Sequence, residues 1–230
     1  MTLRIDHLLA GGVADLGAHG ARSGIDKRPH DGPLWLSREG LAGDGQADLR
    51  FHGGADKALH HYPAEHYDAW HGEMASPRLG PVGFGENLST TGLVEADVAV
   101  GDVFRLGRAV VEVTQGRQPC WKLNLRFGHP DMAARVQASG RMGWYYRVLE
   151  PGAVQAGDAL VRLERRSPEW TLERLWRILY VTPLDRNELT AMADMQALPP
   201  NWRSYAQTRL ETGQVEDWRR RLETPPAFAP

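Results

Sequence analysis

The sequence predicts a mainly β chain with some α: a partly closed antiparallel barrel over residues 1–165, a three-helix module over residues 166–215, and a tail over residues 216–230. Three observations carry this. The first two thirds of the chain hold short strand-like runs punctuated by glycine and proline, with few long helical repeats. From Ser167 onward the texture changes to capped, amphipathic stretches rich in Trp and Met. Finally, 230 residues are many for one compact domain and few for two, which fits one main domain with an appendage.

Residues 3–10, 34–37, 98–106, 109–115, 144–149 and 158–164 read as strands, and Gly107-Arg108 reads as the turn of a hairpin. Gly101-Asp102 and Gly157-Asp158 both open alternating runs, which turn chemistry explains without an internal repeat. Helices over residues 63–70 and 131–138 follow prolines suited to a first helical turn, and are expected to cover the barrel openings. Ser167-Pro168-Glu169 opens the first C-terminal helix, whose stripe is Leu172, Leu175, Trp176 and Leu179. Thr182-Pro183-Leu184-Asp185 repeats that pattern before Leu189, Met192 and Met195, and Pro199-Pro200 precedes a helix carrying Trp202, Tyr205 and Leu210. These apolar faces are expected to pack on one another and on the barrel, with a docking face for an electron donor or a second subunit as the alternative. Arg219, Arg220 and Arg221 read as a solvated helix face, and residues 225–230 as disordered.

Composition narrows the function classes. A net charge of −2 gives no global attraction to nucleic acid, so any cationic site is local. One cysteine cannot form an intramolecular disulfide, and a free thiol is best preserved in a reducing compartment. No stretch approaches the roughly twenty apolar residues that span a bilayer, and the first residues lack a signal-peptide pattern. A cytoplasmic protein without membrane or nucleic-acid partners is the expectation.

That single cysteine, Cys120, follows a strand-like run and Pro119, between Arg117 and Lys122. Cationic neighbours favour a thiolate, which is a soft donor for molybdenum, copper, zinc or iron–sulfur centres. The bland alternative is a buried, inert thiol. Five histidines crowd residues 52–71, but His66 and His71 stand five apart, so on a helix they diverge, and a dedicated zinc site is not expected. His52 differs, because it precedes Gly53-Gly54, where bare backbone can approach a ligand, with Lys57 close behind. Gly83-Phe84-Gly85-Glu86-Asn87 lacks the Gly-Lys-Ser/Thr ending of a nucleotide-binding loop; Asn87 offers a donor and an acceptor, and Glu86 a counter-charge for Arg117. Arg50, Lys57, Arg117, Lys122 and Arg126 would suit a phosphate-bearing ligand.

Taken in order, Gly40-Leu41-Ala42-Gly43-Asp44, His52-Gly53-Gly54-Ala55-Asp56-Lys57, Gly83 to Asn87 and Arg117-Gln118-Pro119-Cys120 resemble the MOSC domain, closest to its stand-alone YiiM-like branch with a C-terminal three-helix extension. Gly116 departs from the proline that relatives often carry there. The resemblance implies a molybdenum cofactor (molybdopterin) ligated by the Cys120 thiolate. It further implies Lys57, Arg117, Gly53, Gly54, Asn87 and Asn124 as cofactor contacts, and His52 as an anchor or proton donor. The implied activity is reduction of N-hydroxylated compounds, such as hydroxylaminopurines, by oxygen-atom transfer to molybdenum. Having no cysteine cluster of its own, the chain would draw electrons from a separate donor protein, and a homodimer is compatible with it. Two other readings of the same residues are a sulfur carrier using a Cys120 persulfide and a non-catalytic small-molecule binder.

Overall fold

The computed structural model describes residues 1–17, 20–76, 78–80 and 82–229, with the side chains of Arg50 and Phe51 outside that description. The order of elements is β1 (Thr2–Arg4), β2 (His7–Ala10), β3 (Ala14–Leu16), β4 (Ala21–Ser23), β5 (Arg28–Pro29), β6 (Leu34–Ser37), β7 (Gly40–Leu41), α1 (Leu49–His52), β8 (Leu59–Pro63), α2 (Glu65–Glu73) and β9 (Leu88–Thr90). Then come β10 (Val103–Leu106), β11 (Ala109–Gly116), α3 (Lys122–Phe127), α4 (Met132–Ser139), β12 (Trp144–Glu150), β13 (Gly152–Val154) and β14 (Ala159–Glu164). The C-terminal part holds α5 (Leu172–Trp176), extended by a wider turn over Arg177–Val181, then α6 (Arg186–Asp194), α7 (Pro200–Thr212) and α8 (Arg219–Leu222).

Nine strands form one sheet in the order β1-β14-β10-β11-β12-β8-β9-β2-β5, beside small sheets β13-β6-β7 and β3-β4. The expected barrel is corrected to this open mixed α/β arrangement, with β1 and β5 as its edges. The reason lies at Ile5 and Asp6, where the chain changes partners: β1 pairs with β14, whereas β2 pairs with β9 and β5. Residues 3–10 therefore serve two ladders rather than one closing strand. All ladders of the large sheet are antiparallel except β8 with β9, which set His61 beside Leu88 in parallel.

Alternation alone misjudged two segments. Residues 98–102 turn instead of extending, because Asp102 is buried and its carboxylate accepts the Ala99 N–H at 3.0 Å. Residues 59–63 form the fully buried strand β8, which the histidines at 60 and 61 disguise as polar. The helix expected over residues 63–70 runs from Glu65 to Glu73, and the short helix α3 after Cys120 carried no periodic signal.

Sheet and C-terminal helices share one apolar core: Leu172, Leu175, Ile178, Leu189, Met192 and Trp202 pack with Phe104, Val111, Val113 and Trp144. A second cluster around Tyr62, Tyr67, Trp70, Phe84, Phe127 and Met132 lies under α2, α3 and α4. The first C-terminal helix starts later than Ser167 implies, since Thr171 is the cap and its hydroxyl accepts the Arg174 N–H at 3.1 Å. For α6 the cap is Asp185, which accepts from Asn187 and Glu188. Residues 225–229, expected to be disordered, instead hold a short turn at Pro226–Phe228, because Trp121 just before α3 offers an aromatic face that Phe228 covers; of the expected solvated arginines, Arg221 turns inward to the Pro119 carbonyl. Among the described residues no helix is long and apolar enough to cross a membrane.

Candidate functional site

Five stretches that end or interrupt regular structure converge on a cleft open to solvent. They are residues 23–27 after β4, residues 45–47 after β7, His52 and Lys57 on either side of the Gly53-Gly54 turn, residues 84–87 before β9, and residues 117–122 after β11. His60 of β8 and Tyr145 of β12 also line it. Period-2 alternation explains the strand contributions, since His61 on the same strand turns to the opposite side, toward Tyr146 and Thr90.

Cys120 is half-buried and lines this cleft, with its Sγ 4.0 Å from His52 Nε2. Strand β11 ends at Gly116, the Arg117 N–H donates to the Gly143 carbonyl at 3.0 Å, and α3 begins two residues beyond Cys120. The thiol thus sits on a two-sided anchor at a strand-to-helix turn. Burial, then the charges of Lys122, Lys57 and Arg117, push the His52 pKa down to about 4. At neutral pH its ring is uncharged, and it offers the sulfur an N–H or a lone pair. Burial also lowers the Lys57 pKa, opposed by Asp56 and by the Cys120 sulfur, so this ammonium lies within electrostatic reach of the thiol.

Arg117 is buried, and its Nη1 has no hydrogen-bond partner among the described residues. The same holds for Nε2 of His60, which burial and then Arg117 keep well below the ordinary histidine pKa. Both atoms are closed to solvent, so each unmet nitrogen carries a desolvation cost. Behind them, the buried Glu86 accepts from the Tyr67 hydroxyl and from the Phe84 N–H at 2.9 Å. Burial raises its pKa, while Tyr67 and, more weakly, Arg117 act the other way. Glu86 therefore backs Arg117 through space, as expected from the sequence.

Other sequence-derived residues fall elsewhere. Asn87 lines the cleft, but its amide is committed: Nδ2 donates to the Leu9 carbonyl at 3.2 Å and to Asp44 at 3.0 Å, and Oδ1 accepts the His60 N–H at 3.0 Å. Asn124 does not line the cleft; it donates to the Leu222 carbonyl at 2.9 Å and to Thr224 Oγ1 at 3.2 Å, and accepts the Ala133 N–H. Gly53 and Gly54 shape the turn between His52 and Lys57 without lining the cleft, and Gly54 takes a positive φ of 97°. Arg126 pairs with Asp26 at 2.5 Å, outside the cleft, and the Arg50 side chain lies outside the described residues.

Sequence reasoning missed the buried ion pair of Lys27 and Asp44 in the cleft wall. Asp44 also accepts from the Gly11 N–H at 3.1 Å and from Gln46 at 3.2 Å, so one carboxylate fastens four segments. Asp44 ended a quoted motif and could have been found there; Lys27, in an unremarkable charged stretch, carried no signal. Tyr145 and His60 were hidden as alternating strand residues. Among the described residues no cluster of three or more His, Cys, Asp or Glu side chains offers a metal site built from protein alone. One soft donor ringed by Lys57, Lys122 and Arg117 suits a ligand that brings both a thiophilic metal and negative charge.

Residues 48–161 match the MOSC domain, and residues 170–213 match the YiiM-like, 3-alpha helix domain. The chain is 42% identical over 206 residues to Protein YiiM of Escherichia coli (strain K12), covering 88% of this chain and 91% of that protein. It is 40% identical over 170 residues, 73% of this chain, to a Gibberella moniliformis protein named Reductase, of which it spans 30%. The crystal structure of YiiM from Escherichia coli superimposes with a TM-score of 0.78 at 34% identity, covering 97% of this chain and 100% of that one. With both segments matched in order and a relative alike along nearly its whole length, the chain belongs to the MOSC-domain family, in the YiiM-like branch that carries the three-helix domain.

Proposed function

We propose that this protein is an oxidoreductase that holds a molybdenum cofactor through Cys120 and reduces N-hydroxylated compounds, hydroxylaminopurines among them. The observation that carries the reading is the half-buried thiol of Cys120 on a cleft that Lys57, Lys122 and Arg117 also line. Family membership and the name of the fungal relative support the redox class.

When bound, a molybdenum–pterin centre supplies an oxygen-atom acceptor and a two-electron store, refilled by a separate donor protein. The overall reaction balances as R–NHOH plus two electrons and two protons giving R–NH2 and water. Cys120 provides the metal ligand, and Lys57 and Lys122 offset the charge of thiolate and cofactor. Arg117, which lines the cleft, would meet a phosphate with its planar fork, a role it suits better than a lysine would. His52, neutral, steadies the sulfur with its Nε2. Tyr145 offers a flat aromatic wall against which a purine can stack.

The test uses the full chain produced in cells that make the cofactor. Elemental analysis should find close to one molybdenum per chain, and the protein should reduce 6-hydroxylaminopurine with a viologen donor. Cys120→Ala should lose metal and lower turnover by on the order of a thousandfold or more, while melting at the parent temperature. Undiminished turnover in that variant excludes the thiolate-ligand mechanism. A metal-free parent whose mass shows one extra sulfur on Cys120 would favour the sulfur-carrier reading instead.

A further inference from the structure

Residues 214–229 lie beyond both matched segments, yet they return to the loop that carries Cys120. The Trp121 N–H donates to the Arg221 carbonyl at 2.7 Å. The Arg221 guanidinium donates through Nη1 to the Pro119 carbonyl and through Nη2 to Gln137 Oε1. That guanidinium lies 4.8 Å from the Trp218 ring centroid and 6.0 Å from that of Tyr180, which confines it between aromatic faces. Phe228 stacks on Trp121 with ring centroids 5.2 Å apart and planes at 13°. Asn124 completes the attachment through Leu222 and Thr224.

We propose that Arg221 is a positioning residue that fixes the Cys120 thiol by clamping the peptide groups on both sides of it. The need for a clamp follows from the loop itself. Pro119 has no N–H to donate, and among the described residues no hydrogen bond other than that of Arg221 reaches the backbone of residues 118 and 119. Strand pairing ends with Gly116, the Arg117 N–H is held by Gly143, and the Cys120 carbonyl is held by Leu123. The stretch between these holds is the one that sets where Sγ points, and one arginine closes it at Pro119 and again at Trp121. The Trp121 hold comes from the Arg221 main-chain carbonyl, which any residue there keeps, whereas the Pro119 hold comes from the guanidinium, whose rigid fork ties that carbonyl and Gln137 Oε1 together in a geometry an ammonium does not fix. No described residue of the tail lines the cleft, so its influence on the chemistry passes through the loop. The inference holds whether or not the bound group is a molybdenum cofactor, because it concerns the thiol alone.

Cys120 is the only cysteine, so alkylation of the intact chain by iodoacetamide, followed by mass, reports this one position. Rates are measured across pH 6 to 9 for the parent and for Arg221→Ala, Arg221→Lys and Phe228→Ala, each checked by circular dichroism. Losing the charge-assisted clamp should raise the plateau rate of Arg221→Ala on the order of fivefold and change the pH profile. Arg221→Lys, with a donor but no fork, should fall between it and the parent. Phe228→Ala should give a smaller acceleration, roughly twofold, by uncovering Trp121 while leaving the guanidinium in place. Folded Arg221→Ala with the parent rate and profile overturns the proposal and leaves the tail a purely structural cover. If Arg221→Ala does not fold, the same decision rests on Phe228→Ala and Arg221→Lys: faster than the parent supports it, equal to the parent rejects it.

Discussion

Consecutive histidines of β8 face the two regions that divide this molecule. His61 points into the core, where its nitrogens meet the Tyr146 hydroxyl at 3.0 Å and Thr90 Oγ1 at 2.9 Å, and its ring packs 4.3 Å from Trp144. His60 lines the cleft, is also buried, and keeps Nε2 without a hydrogen-bond partner among the described residues, within electrostatic reach of Arg117. Both rings lose their charge to burial. The same residue type at adjacent positions is thus fully partnered on the core face of the strand and keeps an unmet nitrogen on the face that lines the cleft. Burial does not distinguish the two rings; their partners do, and the cleft lining sets His60 apart.

If that contrast is sound, damage on the core side should leave the cleft intact. Phe104 is buried on β10 and meets Tyr146 edge-on, with ring centroids 6.1 Å apart. Phe104→Ala should cost about 3–5 kcal/mol, from lost transfer energy and the cavity left behind. Urea unfolding measures that loss, and the alkylation rate of Cys120 measured under native conditions should stay at the parent value. A rate that rises along with the lost stability would mean that core and cleft share one packing unit.

The sequence spoke unevenly about these two regions for a physical reason. Strands β6, β11 and β12 and the stripes of α5, α6 and α7 were legible, since burial on one or both faces writes itself as period and composition. Cys120, His52, Lys57 and Arg117 were legible from their order and spacing, and the structure brings all four to one cleft. Lys27, paired with Asp44 across sixteen intervening residues, was not, because tertiary ion pairs leave no local pattern. Asn124 illustrates the converse: an amide close to Cys120 in sequence looks like a ligand contact until the tail residues Leu222 and Thr224 are seen to use it. The open sheet was misread for the same reason, as a change of ladder at Ile5 and Asp6 has no signature in alternation.

Acid should probe the core side more gently. The His61 pKa is held down to about 3 by burial, against an ordinary value of 6.5. The unfolded chain therefore binds a proton that the folded chain refuses, so this group's contribution is complete above pH 6.5 and is lost as pH falls toward 3. At pH 5.5 the loss amounts to about 1.4 kcal/mol from this residue. Glu86 runs the opposite way, since its pKa is raised and its protonation favours the folded state. Comparing urea midpoints at pH 7.5 and 5.5 for the parent and His61→Gln isolates the histidine: the variant should lose less on acidification. Equal losses in both would place the sensitivity in other groups.

The smallest stability effect is expected where the chemistry is most exposed to change, at His60. Replacing it with Leu removes a contact to the Gly85 backbone but also removes a buried nitrogen that no protein group satisfies. A hydrogen bond is worth about 1 kcal/mol net and an orphaned buried polar atom costs about as much, so the two nearly cancel. His60→Leu should therefore melt within a few degrees of the parent while retaining clearly less molybdenum through purification. Calorimetry and elemental analysis on the same preparation decide it. Full metal retention with unchanged melting would show that the open nitrogen awaits nothing, and a collapse in stability would show that His60 belongs with His61 on the structural side of the strand.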